Sequence, residues 1–175
     1  MDPAGPREGS ATDSAAREKP LTIRRYREAD HGEVFALHNL ALHQVGAHAG
    51  NGPWDDDLHH VEELYLQDGG EFVVGVVGGR IVAMGALRRL SPERAAVTRM
   101  RVHPDFQRRG HGQAILECIE ARAAELGYTT LCLETTSGQA AAQKLYARNR
   151  YVETGRRMEH GFEVIGYEKR LCASP

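Results

Sequence analysis

The stretch that decides the fold is MRVHPDFQRRGHG, Met100–Gly112. Its beginning completes a predicted strand over Ala95–Val102, and its two glycines open a helical pattern that ends near Leu126. A helix start carries free backbone N–H groups and the positive end of the helix dipole, which together attract phosphate. Glycine also lets the backbone approach an anion closely. The stretch therefore indicates either an anion-binding strand–loop–helix unit or an ordinary turn with solvated arginines.

Two common phosphate loops are excluded by this stretch. It has no Gly-Lys-Ser/Thr, as a Walker loop requires, and its glycine spacing differs from that of a dinucleotide-binding fingerprint.

The apolar pattern outside this stretch predicts alternating strands and helices. Gly78-Gly79 links two strand-like runs, which is typical of a β-hairpin. The predicted order is β-α-α-β-β-β-α-β-α-β-β, an α/β or α+β domain with mixed strand directions. The predicted strands are 21–25, 71–77, 80–87, 95–102, 129–135, 151–158 and 164–171, and the predicted helices are 30–45, 55–65, 110–126 and 139–148.

Composition predicts one globular domain. The 175 residues are 41% hydrophobic and 26% charged, and one domain of this length is ordinary. Residues 1–19 contain too little apolar surface to offset the entropy of ordering, so we expect a disordered tail and a single domain over 20–172. This tail has no apolar block that could serve as a secretory signal, and we expect a cytoplasmic protein.

Charge and apolar length exclude some partners. The net charge of −2, with both signs interspersed, offers no surface for nucleic acid or for an anionic membrane. No segment approaches the roughly 20 apolar residues that span a bilayer.

Acidic residues mark predicted helix starts. Asp30 and Glu33 have the spacing of a capping box. Asp55–Asp57, with Glu62 and Glu63, are interpreted as helix caps and a solvated face, and attraction of a cationic ligand is the alternative. Trp54 either lines a pocket beside these residues or anchors its loop.

Histidine and cysteine do not indicate a metal site. His38, His43 and His48 are spaced by five and would face different sides of a helix. Cys118 and Cys132 lie within apolar patterns, so we interpret them as small core residues.

The loop closely resembles the acetyl-CoA loop of the GNAT superfamily of N-acetyltransferases, whose pattern is Gln/Arg-x-x-Gly-x-Gly/Ala. Here the matching residues run from Val102 through Pro104 to Gln107–Gly112, and the element order from Leu21 to Leu171 also matches. The resemblance implies a mixed, mostly antiparallel central sheet with helices on both faces and acetyl-CoA as co-substrate. The coenzyme contacts it implies are Met100, Arg101, Val102, Gln107, Arg108, Arg109, Gly110, His111, Gly112 and Gln139.

The same resemblance implies two catalytic residues. Tyr146, on the alanine-rich helix, matches the tyrosine that protonates the coenzyme A thiolate, and its alternative is a core tyrosine packed by its ring. Glu134 matches the proposed base of the ribosomal-protein alanine N-acetyltransferase branch, and its alternative is a solvent-facing strand carboxylate. Another base position of some relatives is Ala96 here. The chain departs from that branch at Gln139, where the branch has Asn, and at Arg150-Tyr151, where Gly-Phe is usual.

These patterns predict an N-acetyltransferase in which a primary amine attacks the thioester directly within a ternary complex. A transferase of another acyl-CoA and a non-catalytic acyl-CoA sensor are the alternatives. The acceptor, a small-molecule or peptide amine, cannot be read from the sequence. Exposed edge strands in such a fold are compatible with a homodimer.

Overall fold

The computed structural model describes residues 19–46 and 50–172. These residues form one seven-stranded sheet in the order β1-β2-β3-β4-β5-β7-β6. Every neighbouring pair is antiparallel except β4 and β5, which are parallel. The predicted fold class and strand order along the chain are confirmed. The strands are β1 Thr22–Arg25, β2 Glu71–Val77, β3 Arg80–Arg89, β4 Arg94–Val102, β5 Thr130–Thr136, β6 Val152–Glu159 and β7 Phe162–Arg170.

Among residues 19–46 and 50–172, three α-helices cover the sheet: α1 His31–Gln44, α2 His111–Glu125 and α3 Ala140–Arg148. The second predicted helix is wrong as an α-helix, because a 3₁₀ helix, Pro53–His59, and a π-helical turn, Glu62–Leu66, replace it. Its apolar side is buried as expected, with Leu58, Val61 and Tyr65 in the core. Within the described ranges, no helix has both the length and the apolar character needed to cross a membrane.

The sheet has an apolar core on each face. One core joins α2 and α3 to the sheet through residues such as Ile115, Leu131 and Tyr146. The other joins α1 and the 53–66 segment to the sheet through residues such as Val34 and Phe72. Helices on both faces bury the centre of the sheet and leave β1 and β6 as its edges.

A β-bulge in β4 shapes the centre of the molecule. Met84 and Ala86 of β3 pair with Arg101 and Thr98, so two residues of β4 stand opposite Gly85. A Cβ at Gly85 would lie 2.5 Å from Ile115 Cγ2, and only glycine therefore fits at this point of β3, where the strand packs against α2. Bulges bend the strand that carries them.

The predicted capping box at α1 is wrong. Asp30 occupies the N-cap position but makes no side-chain cap bond. Its carboxylate instead accepts hydrogen bonds from Arg24, at 2.6 and 2.8 Å. Glu33 accepts from Ile81 N across the sheet, at 3.1 Å. Val45, predicted on the buried face, is 41% exposed and follows the last helical residue. Residues 1–18 of the predicted tail, and His48, lie outside the described residues.

Candidate active site

An open cleft of about 820 Å³ lies where β4 and β5 separate. The two strands pair only from Arg94 to Ala96 on β4 and from Thr130 to Cys132 on β5, among the residues that the structure describes. Beyond these pairs the strands diverge, and residues of β4 to β7, α3 and the 53–59 segment line the opening. We call it the β4–β5 cleft.

The loop after β4 has the geometry of an anion cradle. A short 3₁₀ turn, Pro104–Phe106, leads to Arg108 and Gly110, whose φ angles are 61° and 81°. Ala114 N donates to Gly110 O at 3.0 Å, so the preceding amides of α2 have no acceptor within the helix. Free amides at a helix start are what a diphosphate requires, and the loop therefore fits coenzyme A.

Side chains hold this loop in place. Gln107 Nε2 donates to Gln44 Oε1 at 2.8 Å and to Val102 O at 3.2 Å. Arg109 Nη2 donates to Asp105 O at 2.8 Å, and its guanidinium lies 5.2 Å from the Phe106 ring centroid. Two of the predicted coenzyme contacts, Gln107 and Arg109, are thus held by hydrogen bonds within the protein.

The β4 segment beside the loop presents backbone to the cleft. Met100 and Val102 pack against the core under α2. Because neighbouring strand residues point to opposite faces, the Arg101 side chain lies on the α1 face. No ladder partner from β5 reaches these residues within the described chain. Met100 O accepts from Arg101 Nη1 at 2.7 Å, and Val102 O accepts from Gln107 Nε2 at 3.2 Å. Because no described strand pairs with this edge, it can still take up the amides of an extended pantetheine arm.

Tyr146 combines a packed ring with an available hydroxyl. The ring is in the core, 5.7 Å from Tyr151 and 6.1 Å from Tyr167 between centroids. The residue also lines the β4–β5 cleft, and its hydroxyl has no hydrogen-bond partner among residues 19–46 and 50–172. Burial raises the pKa of Tyr146 to about 12, and the nearby Arg101 charge opposes this rise. The phenol is therefore fully protonated at neutral pH.

Glu134 borders the cleft as part of an ion pair. Its carboxylate receives two hydrogen bonds from Arg157 on β6, at 2.7 and 2.9 Å. The Arg157 hydrogen bonds lower the pKa of Glu134, and partial burial opposes them. This ion pair was absent from the sequence interpretation, because Arg157 lies 23 positions away on another strand.

A buried network on the α1 face was also not predicted. Arg99, at the bulge with a φ of 55°, donates to both carboxylate oxygens of Asp57 and, at 3.1 Å, to Asp55. It also donates to Trp54 O at 2.6 Å. These contacts connect the 53–59 segment to β4 beside the cleft.

The acidic segment Asp55–Asp57 is therefore corrected. Asp55 and Asp57 are not helix caps on a solvated face, because both are largely buried and bound by Arg99. Asp57 also accepts from the Tyr65 hydroxyl. The sequence signal that could have revealed this pairing was Arg99, an arginine within an apolar strand that has no acidic residue near it in the sequence.

His38 belongs to the same network. It is 1% exposed, and its Nε2 lies 3.0 Å from Asp55 Oδ1 without hydrogen-bond geometry. Burial, followed by the Arg101 and Arg99 charges, lowers the pKa of His38 to about 4. The ring is therefore neutral at pH 7.

Two exposed apolar side chains line the outer part of the cleft. Trp54 and Leu90 are each 55% exposed. Trp54 Nε1 also donates to Gly50 O at 3.0 Å, so the residue both anchors its loop and lines the cleft. Gln139, a predicted coenzyme contact, lines the cleft and donates to Thr136 Oγ1 at 3.2 Å.

This combination of a splayed parallel pair, a bulged strand and a glycine-bearing helix start defines an acetyltransferase fold. The model of the Acetyltransferase (GNAT) family matches residues 26–150. The chain therefore belongs to the GNAT family. Membership confirms the predicted family and acetyl-CoA as co-substrate, and it makes the chain an acetyl-CoA-dependent acetyltransferase.

Solved structures show the same fold at low sequence identity. A GNAT-family acetyltransferase from Staphylococcus aureus Mu50 is 20% identical, with a TM-score of 0.80 over 87% of this chain and 100% of that one. The ribosomal-protein-S18-alanine N-acetyltransferase of Escherichia coli is 22% identical, with a TM-score of 0.73 over 89% and 97%. The putative acetyltransferase yncA from Salmonella typhimurium, solved with acetyl-CoA, is 19% identical, with a TM-score of 0.72 over 88% and 95%. No curated protein matches in sequence.

Proposed function

We propose that this protein is an N-acetyltransferase that moves an acetyl group from acetyl-CoA to a primary amine by direct attack in a ternary complex. The observation that carries the proposal is the Tyr146 hydroxyl, which has no protein partner in the described chain and lies on the wall of the cleft. The loop Gln107–Gly112 holds the diphosphate, and the strand edge at Met100 and Val102, which β5 does not pair, orients the pantetheine arm.

Tyr146 acts as the general acid in this proposal. A thiolate leaves when the amine attacks the thioester carbon, and a phenol with a pKa of about 12 is present to protonate it. The Arg101 charge lowers the pKa of Tyr146, so it favours release of the proton. The phenol then regains a proton from solvent before the next turnover.

Glu134 is the proposed base. An alkyl amine with a pKa near 10.4 is only about 0.1% neutral near pH 7.4, so help with deprotonation matters. Arg157 keeps the Glu134 carboxylate ionised at neutral pH, but it also lowers its basicity. We therefore propose that Glu134 accepts the proton through a water molecule, and that the acceptor is an amine whose pKa is low enough for part of it to be neutral at pH 7.

Thiol release from acetyl-CoA tests the proposal. A panel of primary amines should give steady release of free thiol, and Tyr146→Phe should lower kcat by about 10²–10⁴-fold, the usual contribution of general acid–base catalysis. Acetyl-CoA affinity, measured by calorimetry, should hardly change because the hydroxyl is not needed for binding.

Tyr151→Phe is the matched control, since its ring packs against Tyr146 but the residue is not part of the cleft wall. Wild-type turnover in Tyr146→Phe excludes the tyrosine from the reaction. Saturable acetyl-CoA binding with no thiol release from any amine identifies a sensor instead.

A further inference from the structure

Arg101 differs from the other arginines on the cleft wall. Arg94 pairs with Glu168 at 2.8 Å, and Arg99 pairs with Asp57 and with Asp55. Arg101 forms no ion pair with any carboxylate in the described ranges. Arg101 nevertheless lines the same cleft.

The surroundings of Arg101 leave part of the hydrogen-bonding capacity of its guanidinium unused. Nη1 donates to Met100 O at 2.7 Å, whereas the buried Nε has no partner in the described chain. Burial first, and then the Arg99 charge, lowers the pKa of Arg101 to about 10, and it remains a cation at neutral pH. A buried cation with a free donor is stable only when a ligand or water completes its contacts.

The nearby carboxylates are already occupied. Asp57 is held by Arg99 and by the Tyr65 hydroxyl, and Asp55 contacts Arg99 and His38. These acids raise the pKa of Arg101 through space without bonding to it.

The cleft carboxylates are engaged in the same way. Glu134 and Glu159 are paired with Arg157, and Glu168 is paired with Arg94. A polycationic amine therefore finds no unengaged carboxylate among the described residues of the cleft, whereas an anion finds Arg101.

We propose that the acceptor amine carries a carboxylate, as an amino acid does, and that Arg101 binds this carboxylate through its guanidinium. The inference rests on the proposed acetyltransferase function and names its substrate class. Arg101 projects from β4 toward the α1 face, and both Arg101 and Tyr146 line the β4–β5 cleft. A carboxylate held there places its neighbouring amine beside the proposed acid. Guanidinium binds carboxylate through two parallel hydrogen bonds, which fix orientation as well as position.

Paired acceptors test this assignment. Thiol release is measured with free L-amino acids and with their α-carboxamides, for the wild type, Arg101→Met and Arg101→Lys. In the wild type we expect the best amino acid to have a higher kcat/KM than its carboxamide. This order is the reverse of what basicity alone predicts, because the less basic amine of the carboxamide is neutral to a larger extent at the same pH. In Arg101→Met this preference should fall by about 10–100-fold, the range of a charge-assisted hydrogen bond. Lys, a point charge without the planar fork, should restore only part of it.

A binding measurement keeps the test independent of turnover. Calorimetry with coenzyme A present compares the N-acetyl-L-amino acid of the best pair, or N-acetyl-L-alanine if no pair reacts, with its carboxamide. Tighter binding of the carboxylate, lost in Arg101→Met, supports the carboxylate site even if no amine reacts, and in that case only the proposed reaction fails. Three results overturn the assignment. The first is an equal loss of affinity for the carboxylate and the carboxamide in Arg101→Met, the second is weakened acetyl-CoA binding in that variant, and the third is turnover with polyamines only.

Discussion

Replacing Arg99 with Met tests the buried network that joins the 53–59 segment to β4. The Arg99 side chain is 13% exposed, and the carboxylates of Asp55 and Asp57 are 5% and 10% exposed. Methionine has a similar length and fills the space, but it removes every donor that Arg99 gives to these two acids. The variant therefore isolates loss of charge pairing from loss of volume.

The expected cost follows from the partners that remain. Breaking a buried ion pair typically costs about 3–5 kcal/mol, because the remaining charge is left in a dry environment. Asp57 keeps the Tyr65 hydroxyl as a donor, whereas Asp55 keeps only the neutral His38 ring, 3.0 Å away without hydrogen-bond geometry. We therefore expect the free energy of unfolding of Arg99→Met to be about 3 kcal/mol lower than that of the wild type. With an m-value of about 2 kcal/mol/M, the urea midpoint should fall by about 1.5 M.

The stability difference between the wild type and Arg99→Met should become smaller at acidic pH. Arg99 and Tyr65 hold the pKa of Asp57 below its ordinary 3.8 against the opposing effect of burial. Asp57 thus stabilises the wild type above pH 3.8, and this stabilisation is lost as pH falls through its lowered pKa. In Arg99→Met, burial raises the pKa, so the charged carboxylate destabilises the fold at neutral pH and protonation removes that penalty. The wild type and the variant should therefore differ most near pH 7 and least below pH 4.

Arg157→Met is the matched control. Arg157 also bridges two carboxylates, those of Glu134 and Glu159, but all three side chains are 44–55% exposed. Such surface pairs contribute little to stability, so its urea midpoint should move far less. Equal shifts in the two variants, or a cost in Arg99→Met that does not change with pH, would refute the buried-network reasoning.

Two further predictions concern the coenzyme loop and the proposed base. Gly110→Asp forces a side chain at a φ of 81° and adds an anion beside the phosphate site, so acetyl-CoA affinity by calorimetry should fall at least about tenfold; Gly161→Asp, at a φ of 83° in the β6–β7 turn, should not lower it. Glu134→Gln should reduce kcat/KM for the amine near pH 7. Arg157→Gln should raise the pKa of Glu134 and move the acid limb of the pH–rate profile to higher pH. An unmoved limb would assign Glu134 a structural role.

Local sequence patterns predicted most of the fold. Each correctly predicted element depends on residues that are close together in the sequence. Examples are the Gly78-Gly79 hairpin, the strand that ends at Val102 and the helix after Gly110. The failures arose where a partner on another helix or strand competed with a partner on the same element. Asp30 has the spacing of a helix cap, but a bidentate contact with Arg24 is stronger than a single cap bond.

The same competition explains why the acceptor side of the cleft was not predicted. The coenzyme loop is contiguous, so its glycines and arginines can be recognised in 13 residues. The α1 face of the cleft is assembled from segments more than 40 positions apart, as the pairing of Asp57 with Arg99 shows. No local pattern distinguishes an aspartate that caps a helix from one that binds a remote arginine.

This division has a consequence for substrate choice. In the proposed function, the loop Gln107–Gly112 binds a part of coenzyme A that is common to all acyl donors, and the backbone amides that do so are independent of side-chain identity. The acceptor instead meets side chains, of which Arg101 is the one without a carboxylate partner in the described chain. A substitution at Arg101 can change the charge of the preferred amine without altering the helix start that holds the coenzyme. Chains with the same loop and fold can therefore act on different amines, and specificity should follow the α1 face of the β4–β5 cleft.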